Sequence, residues 1–309
     1  MRLEDVTAKA LELGFVACGV APVEELPEVD RRLGKWLAEG NQAGMAYLER
    51  NREKRRNPAL LVEGARSVVV TLTNYYAPLA DGAADAPVAA RYAYGKDYHG
   101  VIKGRLFQLF SFLQESVGKS LQGRVFVDSA PVFEHEWARR AGLGWIGRNT
   151  LLIHPRWGSF CFIGVIISDF EPEMYSSPYT ESRCGTCHRC VDACPTGALR
   201  PYSVDANRCI SYNTIERKDA IPGELKEKLG NRFFGCDACQ DVCPWNVKAI
   251  PHRDEAFRLN EWLPRMSRED WLQLDEDTFR ERFADSPLLR PGLKHLKEVL
   301  SPDDITSSL

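Results

Sequence analysis

The residues best suited to chemistry are cysteines: the chain holds ten, and eight of them fall between positions 184 and 243. They open as Cys184-x-x-Cys187-x-x-Cys190-x-x-x-Cys194-Pro195. In that spacing three thiolates wrap one [4Fe–4S] cluster, and the fourth reaches a neighbouring cluster. Cys236-x-x-Cys239-x-x-x-Cys243-Pro244 is the tail of a second such run, and Cys209 supplies its missing first member. The crossed pairing gives Cys184, Cys187, Cys190 and Cys243 to one cluster. Cys194, Cys209, Cys236 and Cys239 go to the other. Soft thiolates suit iron–sulfur iron. Structural zinc would instead use paired CxxC knuckles closing a tetrahedron, and disulfides would suit a small secreted domain. Cys18 and Cys161 lie in apolar, strand-like stretches and read as core residues.

Outside the cysteines, Asp128 ends the strand-like RVFVD of residues 124–128. An acid at the carboxyl end of an α/β strand sits where such folds bind ligands, so it can donate or accept a proton. It can equally start a turn and cap the next helix. His99 introduces a helix and reads more readily as a capping or surface residue than as a ligand. Arg50, Arg52, Lys54, Arg55 and Arg56 form a solvated basic face or a phosphate site. Gly142-Leu-Gly144-Trp-Ile-Gly147, with Asp169 downstream, matches GxGxxG. It follows a helix rather than a strand, and Trp145 would crowd a pyrophosphate, so a dinucleotide site is excluded. These glycines read as places where a flat cofactor or another backbone comes close.

The elements that must position these groups follow from periodicity. Leu3, Val6, Ala10 and Leu13 share a helix face, and Gly14 stops it. Phe15–Val20 is a strand, residues 28–49 are largely helical, and Ser67–Tyr75 is a buried strand. Residues 77–90 read as a mobile loop. Leu106, Leu109, Phe110 and Leu113 lie on a core-facing helix, and Phe160–Ser168 is a second buried strand. Strands and helices alternate to residue 170, giving an α/β first domain over 1–175. A two-cluster, ferredoxin-like domain spans 176–255. A helical C-terminal segment spans 256–309, with helices near Trp262–Leu274, Phe279–Phe283 and Leu288–Leu300 and a polar tail. The 309 residues are 44% hydrophobic and 27% charged, with a net charge of −3, so a nucleic-acid partner needs a local patch. No apolar run reaches the ~20 residues of a membrane span. The amphipathic, acidic N-terminus is no export signal, which with abundant thiols points to the cytoplasm.

Two clusters form a short wire for single electrons. A preceding α/β domain implies an acceptor and a substrate, because hard redox chemistry is carried by a cofactor. Residue chemistry alone leaves flavin, a corrinoid or direct reduction open.

The ordered set EKR-x-x-P at 53–58, RYAYGKDYH at 91–99, VDSAP at 127–131, EHEWARRAGLGWIGRN at 134–149, GSF at 158–160, CGTCHRCVDACPTGAL, NRCIS and GNRFFGCDACQDVCPWN resembles the epoxyqueuosine reductase family over about residues 1–285. The resemblance implies a nitroreductase-like α/β domain binding cobalamin without a protein lower ligand. It also implies two [4Fe–4S] clusters beside the corrin, and a substrate that is the epoxide-bearing wobble base of a tRNA anticodon. The reaction would remove the epoxide oxygen as water, using two electrons and two protons. The family's general acid matches Asp128, which burial would keep protonated.

The resemblance further implies cobalamin contacts at Arg55, Ala90, Asp128, Leu152, Ile163, Ser211, Asp237 and Ala238. RNA contacts would use aromatic and basic groups, with Arg217, Lys218, Arg148 and Arg156 as candidates. Many members carry a HEAT-like repeat after the cluster domain. This chain stops without one, which bears on RNA contacts rather than on the redox core. A monomer with a separate electron donor is expected. The runners-up are a corrinoid reductive dehalogenase, which usually carries a twin-arginine signal, and a non-enzymatic two-cluster electron-transfer protein.

Overall fold

The computed structural model describes residues 1–79, 85–118 and 120–301. At its centre is a four-stranded sheet in the spatial order Ala17–Pro22, Ser67–Asn74, Cys161–Ser168, Gly123–Phe126. Every neighbouring pair is antiparallel, with Val70 opposite Val165 and Val125 opposite Ile166. All of Ser67–Asn74 is buried, as a β-branched run covered on both faces should be. Alternation sends its side chains to two cores. Val69 packs with Val6, Ala10, Ile102, Leu106 and Leu109, from the helices Leu3–Glu12 and Tyr98–Val117. Val68, Val70 and Leu72 meet Trp137 and Ala138 of the helix Glu134–Arg140.

The expected alternation of strands and helices is present, but the sheet is antiparallel. Asp128 therefore does not owe its position to the carboxyl edge of a parallel sheet. It lies in the loop two residues beyond Phe126, the end of an edge strand. The helix expected over 28–49 ends early, at Ala38. The chain then turns, and Arg52–Arg56 forms its own short helix.

Part of the expected loop at 77–90, residues 80–84, lies outside the described residues, as does most of the polar tail, 302–309. The loop's far end is not a loop. Val88–Ala89 pairs in parallel with Arg232–Phe234, and the Ala90 N–H donates to Phe234 O at 2.7 Å. Such long-range pairing leaves no local periodicity to read.

The cysteine-bearing segment is built of short pieces: helical turns at Arg189–Asp192 and Ala238–Asp241, the helix Ile210–Ile215 and the strand Arg232–Phe234. It borrows its core from the C-terminal segment. Trp271, Phe279, Phe283 and Leu296 pack in one cluster with Ile210, Phe233, Phe234 and Tyr94. The boundary drawn at residue 255 thus separates no two cores. Burying each of these aromatics contributes about 1.5–3 kcal/mol. Among the described residues no helix is long and apolar enough to cross a membrane.

Candidate active site

A cavity of about 990 Å³ opens between the sheet domain and the cysteine segment. Its lining includes Tyr98, His99 and Asp128 from the first domain and Cys209, Ser211 and Tyr212 from the cysteine segment. Asn51, Arg50 and Arg55 close one side, and Arg290 of the C-terminal segment stands at another.

Tyr98, His99 and Asp128 belong to a chain of hydrogen-bonded groups. Asp97 caps the helix Tyr98–Val117 by accepting from the His99 N–H at 2.9 Å. Its Oδ1 also lies 2.7 Å from His99 Nδ1. The other imidazole nitrogen, Nε2, is 3.4 Å from Asp128 Oδ2. Tyr98 donates its hydroxyl to that same oxygen at 2.7 Å. The Tyr98 ring is fixed by stacking on Phe162, with centroids 4.2 Å apart and planes 7° from parallel. Asp128 has a left-handed backbone, φ +58°, a conformation that Asp and Asn tolerate better than most residues. Glu134 holds it there, its Oε1 accepting from the Asp128 N–H at 2.6 Å. Asp128 thus caps no helix.

These contacts decide where the proton rests. The hydrogen bonds from Asp128 and then Asp97 push the His99 imidazole up to about 9. The hydrogen bond to His99 in turn holds the Asp128 carboxyl below its usual range, against the opposing effect of burial. Burial, and then the charge of Asp128, pushes Glu134 up to about 8. The expected burial of Asp128 is corrected: its side chain is 54% exposed at the cavity, and its hydrogen bond to His99 favours the carboxylate form. His99 is correspondingly more than a capping or surface residue.

Arg55 lines the cavity with its Nε buried and without a hydrogen-bond partner, and burial lowers its pKa. A desolvated, incompletely satisfied guanidinium is a receptor for an oxygen-rich ligand. Arg290 is bound to Glu216 at 2.6 Å, and both line the cavity.

The cysteines, of which Cys209 alone lines the cavity, gather in two neighbourhoods. The Cys243 thiol feels the charges of Cys184 and Cys187, and Cys190 those of Cys243 and Cys184. Cys209 lies by Cys194, Cys236 by Cys209, and Cys239 by both Cys236 and Cys209. Cys239 also feels Cys190, so the two neighbourhoods adjoin. Among the described residues no three His, Cys, Asp or Glu converge as the ligands of a single metal ion would; in a cubane each thiolate binds a different iron. None of the ten cysteines forms a disulfide. Cys18 and Cys161 are half-buried against the sheet cores, where burial pushes both up to about 12.

Of the eight residues expected to hold cobalamin, Arg55, Asp128 and Ser211 line this cavity. Ala90 and Asp237 line a second cavity of about 430 Å³ instead. There Asp237 accepts from the Arg91 N–H at 2.7 Å. Ala238 starts a helical turn beside it. Leu152 and Ile163 are buried in the sheet-face core with Trp137 and do not line the cavity. None of the four residues expected to bind RNA lines it either. Arg217 donates to Ala220 O and Asn213 Oδ1, and Lys218 follows it in the same turn. Arg148 donates to Gly185 O, and Arg156 lies over the Trp157 ring.

The glycine motif serves backbone packing, as one of its two readings holds. A Cβ on Gly144 would come within 2.2 Å of Ile153 O, and one on Gly142 within 2.6 Å of Ser177 O.

Asp97, Tyr98, Glu134, Glu216 and Arg290 escaped sequence reasoning. Asp97 and Tyr98 had a signal: an Asp one residue before a helix that begins Tyr-His. Arg290 had none, because its place depends on the fold of the last segment.

Comparisons with known proteins agree with this architecture. The family model described as "4Fe-4S double cluster binding domain" matches residues 183–246, and the one described as "Epoxyqueuosine reductase QueG, DUF1730" matches residues 55–129. The chain is 46% identical over 298 residues to the epoxyqueuosine reductase of Leadbetterella byssophila, covering 96% of this chain and 97% of that one. A crystal structure of an epoxyqueuosine reductase with an epoxyqueuosine-modified tRNA stem loop superposes with a TM-score of 0.89 at 30% identity, covering 96% of this chain and 79% of that one. The Bacillus subtilis epoxyqueuosine reductase, captured with its catalytic aspartate loop swung out of the active site, gives a TM-score of 0.88 at 29% identity over the same shares. A catabolic reductive dehalogenase matches at 17% identity and a TM-score of 0.50, covering 96% of this chain and 37% of that one, which shows a common fold alone. With near-complete coverage at such identity, the chain belongs to the epoxyqueuosine reductase family.

Proposed function

We propose that this oxidoreductase removes the epoxide oxygen of epoxyqueuosine in tRNA at the cavity between Asp128 and Cys209. A corrinoid held in the same cavity would be fed by the two clusters. The observation that carries the reading is the cavity itself: its lining includes both the hydrogen-bonded group Tyr98, His99 and Asp128 and the cysteine Cys209. A volume near 990 Å³ lies at the upper end of the ~300–1,000 Å³ of small-molecule sites.

The residues present fit a corrinoid. The unsatisfied Arg55 Nε suits the amide and phosphate oxygens at its periphery, and Ser211 offers a hydroxyl on the cluster side. When bound, a reduced corrinoid supplies the electron pair that opens the epoxide. Everything else falls to this chain's own groups. Cys194, Cys209, Cys236 and Cys239 hold the inner cluster, and Cys209 puts it at the cavity wall. Cys184, Cys187, Cys190 and Cys243 hold the outer one. The leaving oxygen needs a proton, because an alkoxide departs poorly from a dry site. His99 carries that proton and Asp128 passes it on, protonated transiently as substrate displaces water. Tyr98 and Glu134 fix Asp128 in place, and Asp97 holds the imidazole in register.

The arginines at the mouth, Arg50 and Arg290, face the RNA backbone. The enzyme works in the cytoplasm, where its tRNA substrate resides. The dehalogenase reading has no observation of its own, since its likeness is one of fold. The test is anaerobic turnover of an epoxyqueuosine-containing anticodon stem loop by the cobalamin-loaded protein. Queuosine should form, and its formation should require both cobalamin and reductant.

A further inference from the structure

We infer that the face around the outer cluster is the docking surface for an acidic one-electron carrier protein of the flavodoxin or ferredoxin class. The inference rests on the reading above, in which electrons reach the cavity through the two clusters.

The two thiolate sets differ in position. Cys209 of the inner set lines the substrate cavity. Cys184, Cys187 and Cys190 are half-buried in the segment 181–190, whose other residues are all exposed. The helical turns Arg189–Asp192 and Ala238–Asp241, which carry Cys190 of the outer set and Cys239 of the inner one, pack against each other, so the sets adjoin. The order of transfer is then outside, outer cluster, inner cluster, cavity.

The surface around this entry point is cationic. Arg183 lies over the Trp145 and Tyr179 rings, which pack with Cys184, Cys243 and Trp245. Arg148 donates to Gly185 O at 2.7 Å, inside the cysteine loop. Arg156 sits on the turn His154–Gly158, which is tied to Asn246 through the Ser159 N–H at 2.7 Å. Arg189 opens the helical turn that contains Cys190, and Lys248 follows Cys243 by five residues. Among the described residues none of Arg156, Arg183, Arg189 and Lys248 pairs with a carboxylate. The 181–192 segment contributes two carboxylates of its own, Glu181 and Asp192. The chain as a whole carries −3, so this is a local concentration of charge and not a general property. Val247 and Tyr202, 71% and 49% exposed, give the patch apolar contact area. Unpaired cations around small apolar contacts suit a short-lived, electrostatically steered encounter. None of these side chains lines the substrate cavity, which favours a protein partner over RNA here.

In each encounter the reduced carrier gives one electron to the outer cluster: the carrier is oxidised and the cluster reduced. Two encounters and two protons turn one epoxide into one alkene and one water.

The test uses the cluster-loaded full chain, without RNA, and a purified acidic flavodoxin in its reduced form. Stopped-flow bleaching of the cluster absorbance gives the second-order rate. Lys248→Glu and Arg183→Glu should each slow it by about tenfold at low salt, and added salt should erase most of the difference. Reduction by dithionite, which needs no docking, should stay at the wild-type rate and amplitude; an unchanged amplitude also shows that the variants fold and hold both clusters. Wild-type rates with flavodoxin would overturn the proposal. So would variants that keep those rates but lose affinity for an anticodon stem loop, which would make the face an RNA site. Normal flavodoxin kinetics in wild type without any epoxide turnover would instead count against the function proposed above and leave this surface standing.

Discussion

His99 bridges two carboxylates, with Nδ1 at 2.7 Å from Asp97 and Nε2 at 3.4 Å from Asp128. This bridge makes His99 the proton store of the cavity and gives the protein a pH signature. The imidazole is raised to about 9 from about 6.5 in an unfolded chain. A raised folded value means that the native state binds the proton more tightly. Its stabilisation is complete below about 6.5 and is lost as pH rises through about 9. Urea midpoints of wild type should therefore fall between about pH 6.5 and 9.5 by more than those of His99→Gln. Turnover should show an alkaline limb near 9 that His99→Gln removes along with most activity. Equal midpoint shifts in the two proteins would contradict the bridge.

Asp128 separates chemistry from backbone. Asn tolerates its φ of +58°, so Asp128→Asn should keep the fold and lose only the stabilisation that the Asp128 charge gives protonated His99. Its turnover should fall by about 10²–10⁴, the usual worth of a positioned acid. Asp128→Val should in addition lose stability, because a β-branched residue is strained at positive φ. Thermal melts beside single-turnover rates check both.

What the sequence revealed follows from the range of each interaction. The cysteine runs were readable because a cluster imposes its spacing on a few neighbouring residues. Ser67–Asn74 was readable because burial on both faces demands an unbroken apolar run. Val88–Ala89 was not, because its partner strand lies at 232–234. Nor was the preference of Asp128 for its carboxylate form, which is set by a histidine 29 residues earlier in the chain. The place of Arg290 at the cavity required the fold of the last helices.

The shared core makes the C-terminal segment a structural support of the inner cluster. Trp271, 1% exposed, packs on Phe233 with ring centroids 4.7 Å apart, three residues before Cys236. Trp271→Ala should cost about 3–5 kcal/mol and lower the retained iron. Full iron content in a destabilised Trp271→Ala would show that cluster and core are independent.

The crossed pairing predicts which cluster each cysteine serves. Cys209→Ala should remove the inner cluster and leave about four of eight irons, still reducible from outside but disconnected from the cavity. Cys243→Ala should remove the outer one. Iron analysis and paramagnetic resonance of the reduced proteins distinguish the two. The same residual signal in both variants would break the assignment.

The most direct measurement is mass analysis of the wobble nucleoside after anaerobic single turnover with cobalamin-loaded, prereduced protein. The account predicts loss of one oxygen from epoxyqueuosine in wild type, and none in Cys209→Ala with the same corrinoid bound. Equal conversion by both proteins would show that electrons do not pass through the Cys209 cluster. An unchanged nucleoside in wild type, with both clusters reduced and the corrinoid bound, would contradict the account itself.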